Sequence, residues 1–377
     1  MRWHRTSGKN WNKNLIWAVI SAMLAILTFR VILKYNRDMS LGELIGVIGS
    51  AKMPFLALGV VASALFVWFE AVALRGILRH AKYPRGRKQC LLYSTSDIYF
   101  SGITPSATGG QPASAFFMVR DGIPGGMATA VLVLNLMMYT ISIIFLGGVS
   151  IVLSPRAFAE FGIVSKILIG VGFVGLSLLA IIFFILLKKE DLIFRPLSAI
   201  ISFLCDKGIL KGKEHKMEKV AKVRDDYARC AALISGDRKI LLGAFFWNCA
   251  QRTCQMIVPV LVYAALDGQT GKMATIFAKQ CLITIGYNFI PIPGGMGISD
   301  YLMIDGFSSF MGERMAINVE LISRGITFYV CVTASGLLTL LGYLLGKKRV
   351  TKDKGDGVTK DKGDRVTKDK EERVTKD

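Results

Sequence analysis

The sequence predicts an all-α polytopic membrane protein with six full spans and two broken re-entrant helical hairpins, about eight hydrophobic segments in all. Three observations carry this expectation. Long uncharged runs alternate with loops dense in Lys and Arg, under a mean hydropathy of +0.46. Two further apolar stretches are interrupted near their centres by proline and glycine: Thr104-Pro105-Ser106-Ala107-Thr108-Gly109-Gly110-Gln111-Pro112, and Pro291-Ile292-Pro293-Gly294-Gly295-Met296-Gly297. The basic residues are also spread unevenly between alternate loops.

A bilayer core takes about 20 helical residues. After a basic segment at 1–13, the run at 14–33 approaches that length and has no small-residue cleavage site, which marks a retained anchor rather than a leader peptide. Runs at 53–74, 125–153, 163–187, 240–266 and 319–345 pass the same test. Cys90 to Val119 spans only 30 residues, whereas two crossings need roughly 40 and a turn. A hairpin that enters and leaves on one side fits it better. Met273 to Phe310 spans 38 residues and fits either a re-entrant pair or two short crossings. Both options return the chain to its starting side.

Formal net charge is +20, from 47 Lys and Arg against 27 Asp and Glu. In a soluble chain this excess would indicate nucleic acid. Here the basic residues flank apolar spans, so they read as topology signals and as attraction to an anionic leaflet, with no nucleic-acid partner. Arg2, Arg5, Lys9 and Lys13 precede the first span, and Arg75, Arg79, Lys82, Arg85, Arg87 and Lys88 follow the second. The segment 188–239 and the tail are also basic, while the opposite loops carry Lys34, Arg37 and Lys52, then Arg156, then Lys272. Both termini are therefore expected in the cytoplasm. The first hairpin then opens from the cytoplasmic side and the second from the outer side. Two readings of that opposition stand: an inverted-topology repeat with a site near mid-depth, or two unrelated loops that both use turn residues.

In the loop 188–239, Ile193, Leu197, Ile200, Ile201 and Leu204 recur at helical spacing, which predicts an amphipathic helix on the inner surface. Lys211 to Arg229 reads as a solvated charged helix. From Arg349 the tail repeats with a period of eight (RVTKDKGD, GVTKDKGD, RVTKDKEE, RVTKD). With few apolar residues it has nothing to bury, and 347–377 is expected to be disordered. The domain between, 14–346, is the membrane unit.

The seven cysteines follow no metal or disulfide spacing, and the three histidines, His4, His80 and His215, fall in expected loops. No catalytic residue, metal or cofactor is expected, and no phosphate-cradling G-x-x-x-x-G-K-[ST] motif occurs. Candidate site residues are instead polar groups placed where hydrocarbon makes them costly. Arg252 follows Gln251 in the middle of the fifth span, and Arg324 lies about one turn into the sixth. Lys279 and Gln280 precede the second break, Asn288 adjoins it, and Asp300 and Asp305 follow it. Asn135 lies in the third span and Glu70 near the inner end of the second. One reading makes Arg252, Arg324 and Lys279 a cationic lining for an anionic headgroup, with Asp300 orienting an arginine. The other makes Arg252 or Arg324 an internal ion pair with Asp300. Glu70 and Lys279 can also snorkel to an interface.

The breaks offer a mechanism of their own. Helix N-termini expose unpaired N–H groups, which favour phosphate. Gly109 and Gly110, with Thr108 and Gln111 beside them, form one such candidate. Pro293, Gly294, Gly295 and Gly297 form the other. Pro112 suits the first turn of a helix from Pro112 to Val119, and Ser299 or Asp300 can cap the helix after Gly297.

TPSATGGQPASAFFMVRDGIP (104–124) and PIPGGMGISDYLMIDGF (291–307) resemble the two signature stretches of the flippase-like transmembrane region of lysylphosphatidylglycerol synthases, the multiple peptide resistance factors. The resemblance extends over about 10–346. It implies a bacterial or archaeal plasma-membrane protein that moves lipids or lipid-linked sugars between leaflets. In full-length synthases a soluble acyltransferase-type domain attaches lysine from lysyl-tRNA to phosphatidylglycerol, and export of the product protects against cationic peptides. Here the octapeptide tail follows Gly346, so lysyl transfer has no expected seat. Asp300 stands where the family commonly has glutamate.

Three functions follow as expectations. The first is transbilayer movement of an anionic or aminoacylated phospholipid or a lipid-linked sugar. The second is an aminoacyl- or glycosyl-lipid transferase embedded in the membrane. The third is a membrane anchor that docks a separate soluble synthase on the basic face from Lys207 to Lys239.

Overall fold

A computed structural model describes residues 41–104, 108–207, 212–290, 292, 295 and 297–345. The expected anchor at 14–33, the basic segment 1–13, the repeats at 347–377, and Pro293 and Gly294 lie outside the described residues. Every regular element among the described residues is helical.

A short helix α1 (Leu41–Ser50) leads into α2 (Met53–His80), started by Pro54 in its first turn. A hairpin of α3 (Arg87–Ile103) and α4 (Gly110–Arg120) follows, then α5 (Gly125–Leu153). One turn, α6 (Pro155–Ala159), connects to α7 (Ile163–Lys188). The basic segment folds as α8 (Asp191–Asp206) and α9 (Lys213–Gly236). Then come α10 (Arg238–Met256) and α11 (Val258–Ala265), a second hairpin of α12 (Met273–Asn288) and α13 (Ile298–Met311), and α14 (Glu313–Leu345).

Four of these helices, α2, α5, α7 and α14, are long and apolar enough to cross a bilayer. At 1.5 Å per residue the shortest, α7, measures about 39 Å, more than the roughly 30 Å of hydrocarbon. The expected boundaries need three corrections. The run at 240–266 is not one unbroken helix: α10 ends at Met256 and α11 begins at Val258. Pro259 explains the division, since it has no N–H to donate and its ring crowds the Gln255 carbonyl. The second span continues to His80, so Arg75 and Arg79 sit on the last turns of α2 rather than in a loop. The sixth begins at Glu313, six residues before the apolar run, so Arg324 lies about three turns into the helix rather than one.

The hairpin helices are short, as the broken stretches require. At 11 residues α4 measures about 16 Å, roughly half the hydrocarbon thickness. It begins at Gly110, two residues before the expected Pro112. Gly110 is where the two arms touch: a Cβ there would stand 2.0 Å from both Asp97 Oδ1 and Ser101 Oγ on α3. Close backbone approach of this kind is a common use of small residues between membrane helices.

Helix pairing follows a regular scheme. α2 packs antiparallel to α10 and α11, with Gly59 near Val258, Phe66 near Arg252 and Phe69 against Trp247. The first hairpin's long arm, α3, runs antiparallel along α14: Thr95 meets Thr339, Tyr99 covers Gly336 and Val332 covers Gly102. The second hairpin's long arm, α12, runs antiparallel along α5: Ile285 fills the space over Gly147, and Tyr139 bonds Asn288.

On the basic side, α8 leaves Leu192, Leu197, Ile200 and Phe203 exposed and buries Phe194 against Tyr227, as an interfacial amphipathic helix would. The solvated reading of Lys211 to Arg229 needs correction at its end. From Tyr227 onward α9 is packed, with Tyr227, Cys230, Ala231 and Ile234 buried and the Tyr227 hydroxyl donating to the Leu186 carbonyl at 2.9 Å. Gly126 at the start of α5 makes the room, since a Cβ there would meet the Val223 carbonyl at 2.0 Å.

Candidate functional site

Between the two hairpins lies a cavity of about 470 Å³. Its wall takes Gln111 from just after the first break and Gly295 from within the second. Helices α2, α3, α5, α7, α10, α11, α12, α13 and α14 complete it. Aliphatic and aromatic side chains cover much of the wall, and the polar groups gather around two arginines.

Arg252 is 3% exposed. Its guanidinium stacks over Tyr139 at 4.1 Å and Phe66 at 4.6 Å, and Nη1 donates to Gln255 Oε1 at 2.8 Å. The Nε atom is buried without a hydrogen-bond acceptor, and no acid stands within 4 Å of the guanidinium among the described residues. A charge held by two rings and one amide remains available to an incoming anion.

Arg324 is arranged differently. Its Nε donates to Glu320 Oε1 at 2.9 Å, one turn earlier on α14, and its Nη2 reaches Ser299 and Asp300 on α13. Asp300 also accepts from the Gly297 amide at 2.8 Å, closing the first turn of α13 as the capping residue expected there. Of the two alternatives for Asp300, the ion pair with Arg324 is the one formed. The backbone of α14 widens into a π-helical turn over Gly325–Val330, directly after Arg324, and places Thr327 and Phe328 on the cavity wall.

The same cavity holds a group of acids and amides. Glu70 accepts from Ser94 Oγ and Gln251 Nε2, each at 3.1 Å. Asp97 accepts from Gln111 Nε2 at 2.7 Å and Ser101 Oγ at 3.3 Å. The two carboxyl groups lie within hydrogen-bonding reach of each other. Asn248 Nδ2 donates to Asn135 Oδ1 at 3.1 Å, tying α10 to α5 beside them.

The expected site residues therefore divide. Gln111, Asn135, Arg252, Asn288, Gly295 and Arg324 all line the one cavity. Asp300 touches it through Arg324. Thr108 is exposed at the turn before α4. The amides expected to meet a phosphate are largely taken: Gly109 donates to Thr104 Oγ1 at 2.9 Å, Gly295 to the Ile292 carbonyl at 2.9 Å, and Gly297 to Asp300. Lys279 does not join the cationic lining. Its fully buried ammonium turns away to the Gly306 carbonyl at 2.6 Å, Ser309 Oγ at 2.9 Å and Glu160 at 2.7 Å, tying α12 to α13 and to the turn before α7. Its neighbour Gln280 faces the cavity instead.

Asp97, Gln255, Glu320 and Tyr139 are the functional candidates that sequence reasoning passed over. Asp97 had a signal, an acid inside the otherwise apolar stretch 90–119, and so did Gln255, one turn from Gln251. Tyr139 had none, because a tyrosine in an apolar helix has no distinguishing pattern.

Comparison with known families decides which group these features belong to. The model of the lysylphosphatidylglycerol synthase TM region matches residues 15–335. The chain belongs to that family. The lysylphosphatidylglycerol synthase TM match takes in both breaks and every residue that lines the cavity, and it agrees with the resemblance carried by 104–124 and 291–307. A comparison with curated proteins finds no significant match. A membrane protein with a lipid-related role is thus established at the level of the family.

Proposed function

We propose that this chain moves an anionic lipid headgroup across the bilayer through the cavity between its two hairpins, in the plasma membrane of a bacterium and with both termini in the cytoplasm. The observation that carries the reading is a buried arginine, Arg252, with no acid within 4 Å among the described residues, facing a cavity that both helix breaks reach. A guanidinium in such a setting favours a phosphate or carboxylate by charge-assisted hydrogen bonds. The headgroup's phosphate meets Arg252, while the acyl chains stay in the surrounding hydrocarbon.

The helix pairing supports an inverted repeat. α2 to α5 form one unit and α10 to α14 the other, each with a helix, a hairpin and a long helix. Exchange of the units maps the α3 and α14 contact onto the α12 and α5 contact, and both are antiparallel. The antiparallel pairing of α2 with α10 gives the units opposite senses through the membrane. On this reading the two hairpins are re-entrant and enter from opposite faces, which puts the site near mid-depth.

The test is lipid exchange between leaflets of liposomes carrying the purified protein, read with fluorescent phosphatidylglycerol. The wild type speeds exchange, and Arg252→Ala slows it by at least tenfold with folding retained. Equal rates for the two proteins would remove Arg252 from the pathway and the proposal with it.

A further inference from the structure

Glu70 and Asp97 are 5% and 9% exposed, come from different helices, and meet on the wall of the cavity that Arg252 also lines. Contact between two carboxyl groups requires a proton on one of them, since ionised carboxylates offer only acceptors. Four donors serve the pair: Ser94 and Gln251 on Glu70, and Ser101 and Gln111 on Asp97. That set can hold one negative charge in a buried site, but two charges in contact repel strongly.

Several polar groups on the same wall have no partner among the described residues. Gln280 is 6% exposed and its Oε1 has no donor. Gln251 Oε1 and Arg252 Nε are likewise buried without partners. Buried polar atoms are normally paired with protein or water, so these groups are open to hydrogen bonds from whatever enters the cavity.

Among the described residues, the charged and titratable groups facing the pair are few. Arg252 approaches from α10 and the Cys331 thiol from α14. From α4 and α5 the wall presents Gln111, Asn135 and Tyr139. Arg324 lies farther along the cavity and is already held by Asp300 and Glu320. The balance around the pair is therefore set by Arg252: one shared proton leaves one negative charge, which its guanidinium offsets.

We propose that the Glu70–Asp97 pair is a proton-binding site coupled to the headgroup site, holding one proton when the cavity is empty and taking up a second when an anion occupies Arg252. The inference rests on the lipid reading above. Its basis is charge conservation in a low-dielectric cavity: an anion on Arg252 cancels the charge that had offset the pair, and a proton from solvent restores neutrality. Linkage is reciprocal, so a protonated pair tightens anion binding by the factor by which the anion favours protonation. Lipid movement would then respond to a proton gradient without nucleotide hydrolysis.

Two measurements on the full-length protein test this. Titration calorimetry with short-chain phosphatidylglycerol, run in two buffers of different ionisation heat, counts protons taken up on binding. The wild type is expected to take up close to one proton per lipid and to bind more tightly in mildly acidic than in mildly alkaline buffer. Glu70→Gln with Asp97→Asn retains binding and loses both the uptake and the pH dependence. Binding by the wild type without proton uptake, or uptake that persists in the double variant, overturns the proton site alone. No binding by the wild type at either pH overturns the lipid reading, and the coupling falls with it. Infrared spectra of the ligand-free wild type give a check that needs no variant to fold: a protonated carboxyl band is expected at neutral pH, and its absence overturns the shared proton.

Discussion

At the scale of the residue, the two cavity arginines show how identical side chains take different work from their neighbours. Arg324 has two acids within reach, Glu320 on its own helix and Asp300 across the gap to α13. Removing it leaves those carboxylates near one another without a counter-charge. Arg324→Ala is therefore expected to cost about 3 kcal/mol or more of stability, read as a fall in the unfolding temperature of the detergent-solubilised protein. Arg252 has no acid within ion-pair distance among the described residues, and the Glu70–Asp97 pair keeps four donors without it, so Arg252→Ala should lower that temperature by much less. If the two variants melt alike, the division between a structural and a ligand-facing arginine is wrong. Sequence reading found both arginines because a charge in an apolar helix is conspicuous. It could not separate them, since the partner that decides the question, Asp300, reaches Arg324 only through the fold. Asp97 was legible by the same rule as the arginines. Lys279 fits that rule equally well, yet its ammonium points to Glu160 and Gly306 on the far side of α12.

At the scale of the element, glycine marks where backbones meet. Gly110 permits the crossing of α3 and α4, and Gly110→Ala would push a methyl group into Asp97 and Ser101. The expected cost is about 1–3 kcal/mol, together with slower lipid exchange, because Asp97 must shift. Gly76, inside α2, has nothing within 4 Å of an added Cβ. Gly76→Ala should instead stabilise by about 0.5–1 kcal/mol through helix propensity. Thermal unfolding of the pair of variants checks both signs at once. The breaks themselves were visible in the sequence, as were the boundaries of α5 and α7, because proline and glycine end apolar runs at fixed places. The division of 240–266 was not expected, although Pro259 carries the physical reason. The extension of α14 back to Glu313 was hidden because its first turns are polar on one side and pack on α13 and α11 on the other.

At the scale of the whole molecule, the two units share long antiparallel seams, α3 with α14 and α5 with α12. A transport cycle in which one unit rocks against the other must move those seams. Thr95 and Thr339 meet across the first, hydroxyl to hydroxyl at 3.2 Å. Thr95→Cys with Thr339→Cys, in a background whose native cysteines are blocked or replaced, should form a disulfide on oxidation and stop lipid exchange. Reduction should restore it. Full exchange in the oxidised protein would mean that this seam stays closed throughout the cycle.

The sequence alone determined that the chain is helical and membrane-embedded, that two broken stretches interrupt it, and that charged residues lie where hydrocarbon penalises them. Those are local properties: hydrocarbon acts on each segment separately, through its length, its apolarity and its unpaired backbone groups. Tertiary structure alone decided that the breaks share one cavity, that Arg324 is paired while Arg252 faces the open space, and that Glu70 meets Asp97. Each of those depends on contacts between residues far apart in the chain. Such contacts are set by which faces of helices pack closely, and no single segment encodes that choice.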